Sequence, residues 1–447
     1  MHSISNISNF LKKLLSIKNK QFNHYLFLPL LIFYIIILIL FNRNEIVGDE
    51  SRYLNFSENI NNGFYAEKDL KPGFLWNGPG YPLILSPFTH FKINLLVPKI
   101  LNCIFLFSGV IFLYKSLRFN LSQRTSFLIS YFAGLSHPYF IKSISVLMTE
   151  ALSFMLISIS LFYALKTISD KKYILIYSFF SGYLILTKVF FAYVFLLCGI
   201  IFFLYWLTSN NKKKSSFLFK ICFFPFLICI PYLIYTYNIT NKFFYWSDAG
   251  GSSLYSMSTP FENEYGDWFP SYEETAGFQS ESMTTKYKVN SISKNHAPFL
   301  SSLNGLNGIE KNQKLLEQSI ENIKANKIKY LKNIIFNFSR TAFRFPYSYF
   351  ETKPIFIIAS IFHFSIIFLP LMLSISKIIL KPFHPDFLIL IFFTVCFGGI
   401  LLLSADPRFI FPIYPLLIYI TSIFFRNSKQ TKNSINEKIF IHNYTNI

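Results

Sequence analysis

Two carboxylates stand side by side in Gly48-Asp49-Glu50-Ser51-Arg52-Tyr53-Leu54, only a few residues after the first long apolar segment. Neighbouring carboxylates in a partly dry place do not both ionise easily. One is pushed up toward the range of a general base unless a cation lies between them. Further ionisable residues recur at the edges of apolar segments: Glu150 in Met148-Thr149-Glu150, Lys188 in Leu186-Thr187-Lys188, and Asp406 and Arg408 around Pro407. A charge at the centre of a membrane span costs roughly 2.5–3.5 kcal/mol and less at its edge, so such residues usually line a cavity or pathway. Four acids and two cations gathered at one membrane face imply a shared site.

Each residue also has a reading without chemistry. Asp49 and Glu50 would cap a surface helix built on Tyr53, Leu54, Phe56 and Ile60 and ended by Gly63. Glu150 would snorkel to water, Lys188 would mark a turn between two spans, and Arg408 would pair locally with Asp406. Their joint placement carries more than any one of them.

The elements that must position these residues follow from composition. The chain has 447 residues, 52% hydrophobic, 20% aromatic and 14% charged, with a mean hydropathy of +0.40. This is the profile of an all-α polytopic membrane protein. Apolar blocks of bilayer length are read at 25–41, 93–114, 124–141, 145–166, 172–187, 189–207, 217–237, 354–378, 386–404 and 407–425, about ten transmembrane helices. The net charge of +20 lies in short connections that are cytoplasmic if the N-terminus is: Lys12, Lys13, Lys18 and Lys20; Lys115, Arg118 and Arg124; Lys166, Lys171 and Lys172; Lys212, Lys213 and Lys214; Lys377 and Lys381; Arg426, Lys429 and Lys432. The positive-inside rule accounts for the basic balance. No basic-aromatic motif indicates nucleic acid as a partner.

This orientation divides the chain into a cytoplasmic N-terminus 1–24, amphipathic around Phe10–Leu15 or flexible, an N-terminal membrane module 25–237 with a first outer loop 42–92, a large extracytoplasmic loop 238–352, a C-terminal membrane module 353–425 and a cytoplasmic tail 426–447. The first block lacks a small-residue cleavage site and is expected to remain as an anchor. The first outer loop holds Trp76-Asn77-Gly78-Pro79-Gly80-Tyr81-Pro82, a turn leading into the membrane and a candidate cavity wall. The large loop opens on an aromatic zone with Tyr245, Trp246, Tyr255, Tyr265 and Trp268, suited to sugar stacking, continues through a Ser- and Asn-rich zone 276–309, and closes with an amphipathic helix over 310–345. No internal repeat or second soluble domain is evident.

In order along the chain, the Asp-Glu pair with Tyr53, the Gly-Pro-Gly-Tyr-Pro-Leu-Ile-Leu-Ser-Pro-Phe stretch 78–88, the Thr-Glu that opens a span at 149–150, and Arg408 before Phe411-Pro-Ile-Tyr-Pro-Leu-Leu resemble the GT-C glycosyltransferases. The closest group is the bacterial relatives of the dolichyl-phosphate-mannose protein mannosyltransferases and of the lipid A aminoarabinose transferase. Arg408 is followed by Phe409 where many relatives have Tyr, and Asn77-Gly78-Pro79-Gly80 replaces a Lys-Pro-Pro form.

The resemblance implies extracytoplasmic transfer of a sugar from a polyprenyl-phosphate donor to an acceptor that is a lipid, glycan or protein, in a bacterial inner membrane. Asp49 would be the general base, Glu50 its partner, and Arg408 and Lys188 would hold the carrier phosphate. Tyr53, Tyr81, Glu150 and Asp406 would contact substrate. No cofactor is implied with certainty; a divalent metal stays open, since some relatives hold one and others do not. The absence of a P-loop or an Asp-x-Asp motif in the sequence fits a lipid-linked rather than a nucleotide-linked donor.

Another class has a similar outline: a polytopic transporter or flippase, or an O-antigen polymerase or ligase. A transporter would set its ionisable residues near mid-membrane, whereas here they fall at one face. The five cysteines lie in apolar blocks and indicate neither a disulfide framework nor a zinc site. His137 precedes Pro138 near the turn before Glu150, and the remaining histidines are scattered without ligand spacing.

Overall fold

The computed structural model describes residues 24–43, 45–46, 48–209, 212–268, 294–349, 352–380 and 384–426. The amphipathic N-terminal segment, most of the Ser- and Asn-rich zone and most of the basic tail lie outside the described residues. Among the described residues the regular structure is entirely helical.

Every apolar block is realised as helix, and seven helices are long and apolar enough to cross a membrane: Leu96–Leu117, Glu150–Ser169, Phe190–Thr208, Ser215–Thr240, Pro354–Ile379, Pro385–Leu402 and Pro407–Phe425. The chain is a multi-pass membrane protein. The other three blocks give shorter helices, Tyr25–Phe41, Gln123–Ser136 and Ile174–Thr187. The block at 124–141 is cut short because His137 leaves the helix ahead of Pro138, with φ −69° and ψ 125°.

Burial ranks the spans. Glu150–Ser169 is 67% and Pro407–Phe425 72% buried, whereas Pro354–Ile379 is 11% buried and turns most of its side chains outward. The first two therefore form the centre of the bundle. Glu150–Ser169 packs along Leu96–Leu117, Ile174–Thr187 and Ile410–Ser422, and those central helices begin with Glu150 and, one turn earlier, Arg408.

The two long connections form helices on the same side of the bundle. The first carries Glu50–Asn61 and Gly80–His90, which pack against each other. The second carries Gly250–Met257, Ala297–Ser301, Gly308–Ala325 and Lys327–Phe343. The amphipathic segment expected as one helix is two, joined at Asn326, whose φ of −129° breaks the run. Gly308–Ala325 starts with a capping box between Asn307 and Glu310.

The last of these helices is inside out by the standards of a water-soluble protein. Lys329, Asn333, Asn337, Arg340 and Thr341 are its buried residues, while Ile328 is 74%, Leu331 59% and Ile335 66% exposed. Such a helix suits a lipid neighbour on one side and polar backbone on the other. Asn337 Nδ2 donates to the carbonyls of Ile400, Leu401 and Leu403, and Arg340 Nε donates to that of Ala405. The carbonyls left open at the end of Pro385–Leu402 are thereby satisfied. The segment leading to Arg408 is held in place by the same bonds.

Candidate active site

Arg408 Nη1 donates to Asp49 Oδ2 at 2.8 Å, and Arg52 Nη1 lies 3.5 Å from Asp49 Oδ1. Asp49 is the residue before the helix Glu50–Asn61, yet its side chain makes no capping bond there. The capping reading of this residue gives way to an ion pair between two distant segments. Burial pushes the Asp49 carboxyl up, but the charges of Arg408 and Arg52 outweigh it and hold the group below the usual carboxylate range.

A second pair stands beside the first. Lys188 Nζ donates to Glu150 Oε1 at 3.2 Å, with the two side chains 16% and 2% exposed. Glu150 therefore does not snorkel to water. The rings add a shared partner, since Lys188 Nζ lies 5.4 Å and the Arg408 guanidinium 5.3 Å from the centre of Phe409. The residue by which the chain departs from the Arg-Tyr pattern thus lies against both cations.

Asp49, Tyr53, Glu150, Lys188 and Arg408 line one cavity of about 250 Å³ together with Trp76, Asn77 and Ser404. Two glycines bring the first long connection onto its wall. A Cβ at Gly78 would lie 2.1 Å from the carbonyl oxygen of Leu186, and one at Gly80 2.5 Å from Thr187 Oγ1. The Asn77–Gly80 strip therefore rests directly on the turn that carries Lys188, an approach that only a residue without a side chain permits. Tyr183 Oη donates to the carbonyl of Gly80 at 2.7 Å, and Tyr65 Oη to that of Asn77 at 2.6 Å, fixing the strip at both ends.

Three of the residues singled out in the sequence stand behind the cavity wall rather than on it. Glu50, 3% exposed, accepts from the backbone N–H of Leu147 at 2.7 Å. Tyr81 donates to Asn102 Oδ1 at 3.1 Å, and Asn102 donates to the carbonyl of Val146 at 3.0 Å. Both hold the segment 146–148 that delivers Glu150. Asp406 accepts from the backbone N–H of Arg408 at 2.9 Å and so shapes the turn, while the Arg408 guanidinium reaches Asp49 instead.

Asp248 and Lys99 complete the frame. Asp248 Oδ2 accepts from the Gly73 N–H at 2.7 Å and joins the two long connections; burial raises its carboxyl to about 6. Lys99 Nζ donates to the carbonyl of Arg43 at 2.8 Å and anchors the chain just ahead of Asp49. His137 belongs to another neighbourhood, against Phe411 and Tyr414, where it borders a largely apolar cavity of about 340 Å³ on a different face of Pro407–Phe425. Sequence reasoning read the stretch with Asn77 as a candidate cavity wall, where Trp76, Asn77 and Gly78 do lie, but missed Ser404, Asn337, Arg340 and Asp248. The 329, 333, 337, 340 spacing of polar residues on one helix was the available signal for two of them.

Among the described residues no group of three or more His, Cys, Asp or Glu is placed to hold a metal ion. Both cavity carboxylates are engaged by cations, Asp49 by Arg408 and Arg52 and Glu150 by Lys188.

No family model matches the chain, and no curated protein matches it. Among solved structures it is similar to the archaeal oligosaccharyltransferase AglB from Archaeoglobus fulgidus, in complex with an inhibitory peptide and a dolichol-phosphate, with 14% identity and a TM-score of 0.48 over 92% of this chain and 51% of that one. The chain thus spans about half the length of that protein. It is also similar to ArnT from Cupriavidus metallidurans bound to undecaprenyl phosphate, with 12% identity and a TM-score of 0.37 over 92% of this chain and 79% of that one.

Proposed function

We propose that this chain is an integral-membrane glycosyltransferase of the GT-C type, moving a sugar from a polyprenyl-phosphate donor to an acceptor on the extracytoplasmic face. The observation that carries this reading is the pairing of Arg408 with Asp49 and of Lys188 with Glu150 on one cavity at the ends of the central spans. A base and two cations within one small space at a membrane boundary match the needs of a reaction whose leaving group is a lipid phosphate. Glu150 opens its span and Lys188 follows the end of Ile174–Thr187, an arrangement that favours this reading over a transporter with charges within its spans.

In the proposed step the acceptor hydroxyl oxygen attacks the anomeric carbon while its proton passes to Asp49. The bond from that carbon to the phosphate oxygen breaks, its electron pair stays on the phosphate, and the configuration inverts. Arg408 and Lys188 take up the growing negative charge. Each cation exchanges a carboxylate for the phosphate as the donor enters, so the donor's arrival frees Asp49 from Arg408 and restores its basicity. Phe409 carries both cations on its face and keeps them together during the exchange.

The test is a mass comparison of envelope glycolipids, glycans and glycoproteins from cells lacking the protein, restored with the native chain or with Asp49→Asn. One sugar-sized mass that returns with the native chain and stays absent with Asp49→Asn supports the reading and names the acceptor. Full restoration by an equal membrane amount of Asp49→Asn removes Asp49 from the chemistry.

A further inference from the structure

Three residues that line the Asp49 cavity each hold a buried side-chain oxygen that has no hydrogen-bond partner: Asn77 Oδ1, Glu150 Oε2 and Ser404 Oγ. They come from three separate parts of the chain. Asn77 lies on the glycine strip; its amide is oriented by Nδ2, which donates to Tyr53 Oη at 3.1 Å, and Oδ1 is left without a partner. Glu150 gives Oε1 to Lys188, so Oε2 is left over. Ser404, 9% exposed, is fixed through its backbone N–H to the Ser253 carbonyl at 3.2 Å, and its hydroxyl takes no part in that bond.

Buried polar atoms are nearly always paired, and unpaired ones gathered on one cavity are built for what enters it. Two of these three atoms only accept, and the hydroxyl serves either way. A phosphate brings acceptors and leaves the amide and carboxylate oxygens as they were. A sugar brings several O–H donors within a few ångströms of its anomeric carbon. The cations and the orphan oxygens therefore divide the donor between them, phosphate to the former and sugar to the latter.

We propose that Asn77, Ser404 and the free oxygen of Glu150 form the sugar-reading subsite of this cavity, selecting a donor whose ring presents at least two free hydroxyl groups. The proposal rests on the transferase reading. Discrimination by such a site is steep, because a ligand lacking a hydroxyl leaves the oxygen opposite it unpaired.

The experiment uses the full chain in lipid nanodiscs and measures affinity for undecaprenyl phosphate and for a panel of undecaprenyl-phosphate-linked glucose, mannose, galactose and arabinose. The native chain is expected to bind at least one sugar-bearing lipid about tenfold or more tightly than the bare lipid. Ser404→Ala, whose lost hydroxyl holds nothing in the protein, should weaken that lipid about 3- to 10-fold and leave bare undecaprenyl phosphate and the unfolding temperature unchanged. Asn77→Ala should do the same to the sugar-bearing lipid and serves as the second variant. If Ser404→Ala leaves sugar-lipid affinity intact, shifts both lipids alike, or if no sugar in the panel adds affinity, the subsite is wrong while the phosphate site stands. If the native chain binds no undecaprenyl lipid at all, the transferase reading fails and takes the subsite with it.

Discussion

Arg408 and Asp49 are 359 residues apart in the chain and 2.8 Å apart in space. The pair joins the first long connection to the start of the last span, and it sets the protonation of the proposed base. With its carboxyl held below the usual range, Asp49 stabilises the fold fully above its unfolded value of about 4 and loses that contribution as pH falls through the lower folded value. Arg408→Gln should cost about 1–2 kcal/mol at neutral pH, the side chains being a quarter exposed. It should also flatten the acid limb of stability. Thermal unfolding between pH 3 and 7 in steps of about half a unit reads both, and an unchanged acid limb would detach Asp49 from Arg408.

The Lys188–Glu150 pair is drier, and its single variants should be harsher. Lys188→Met leaves Glu150 charged and nearly without water, at a cost of about 3–5 kcal/mol. The double variant Lys188→Met, Glu150→Leu should recover most of the lost unfolding temperature yet show no transfer. Recovery of both stability and activity would make the pair structural.

Gly78→Ala places a methyl group against the Leu186 carbonyl and should force the strip off the Lys188 turn, lowering stability and transfer together. Gly398→Ala, where a Cβ meets nothing within 4 Å, is the matched control and should be neutral or stabilise its helix by up to about 1 kcal/mol. Equal unfolding temperatures for the two variants would contradict the close approach.

Asn337→Ala would strip the donor from the Ile400, Leu401 and Leu403 carbonyls. The expected loss is about 2–3 kcal/mol, with a fall in turnover because the segment ahead of Arg408 loosens. A normal turnover at reduced unfolding temperature would show that Arg408 keeps its place without this support.

Asp248 titrates with the opposite sign to Asp49. Its folded value of about 6 lies above the unfolded one, so the folded state binds the extra proton between roughly pH 4 and 6 and its stability falls as pH rises through that window. Asp248→Asn keeps an oxygen for the Gly73 N–H and should be about 1–3 kcal/mol more stable than the native chain at pH 7.5, converging with it near pH 4. Denaturation at these two pH values checks the sign.

The membrane helices were legible because apolar length is written locally in sequence, and each of the ten blocks has its helix. Their lengths were less so. The reading of 124–141 ran through His137-Pro138, a place where backbone geometry rather than hydropathy sets the end. The site residues were legible by type and edge position, but not their pairing. Arg408 sits two residues from Asp406 and still reaches across the molecule to Asp49, a choice made by packing of the central spans. Asn337 and Arg340 were hidden because a polar stripe on an amphipathic helix is ordinarily taken to face water.

That reversed stripe decides what kind of object the 238–352 region is. Cut free and placed in water, its described part would present Ile328, Leu331 and Ile335 to solvent, while Asn337 and Arg340 would lose the span-end carbonyls they serve. To become a soluble body it would have to turn inside out. The loop is an organ of the bundle rather than a domain hung from it, and binders raised against the isolated segment would learn a surface that the intact protein does not have.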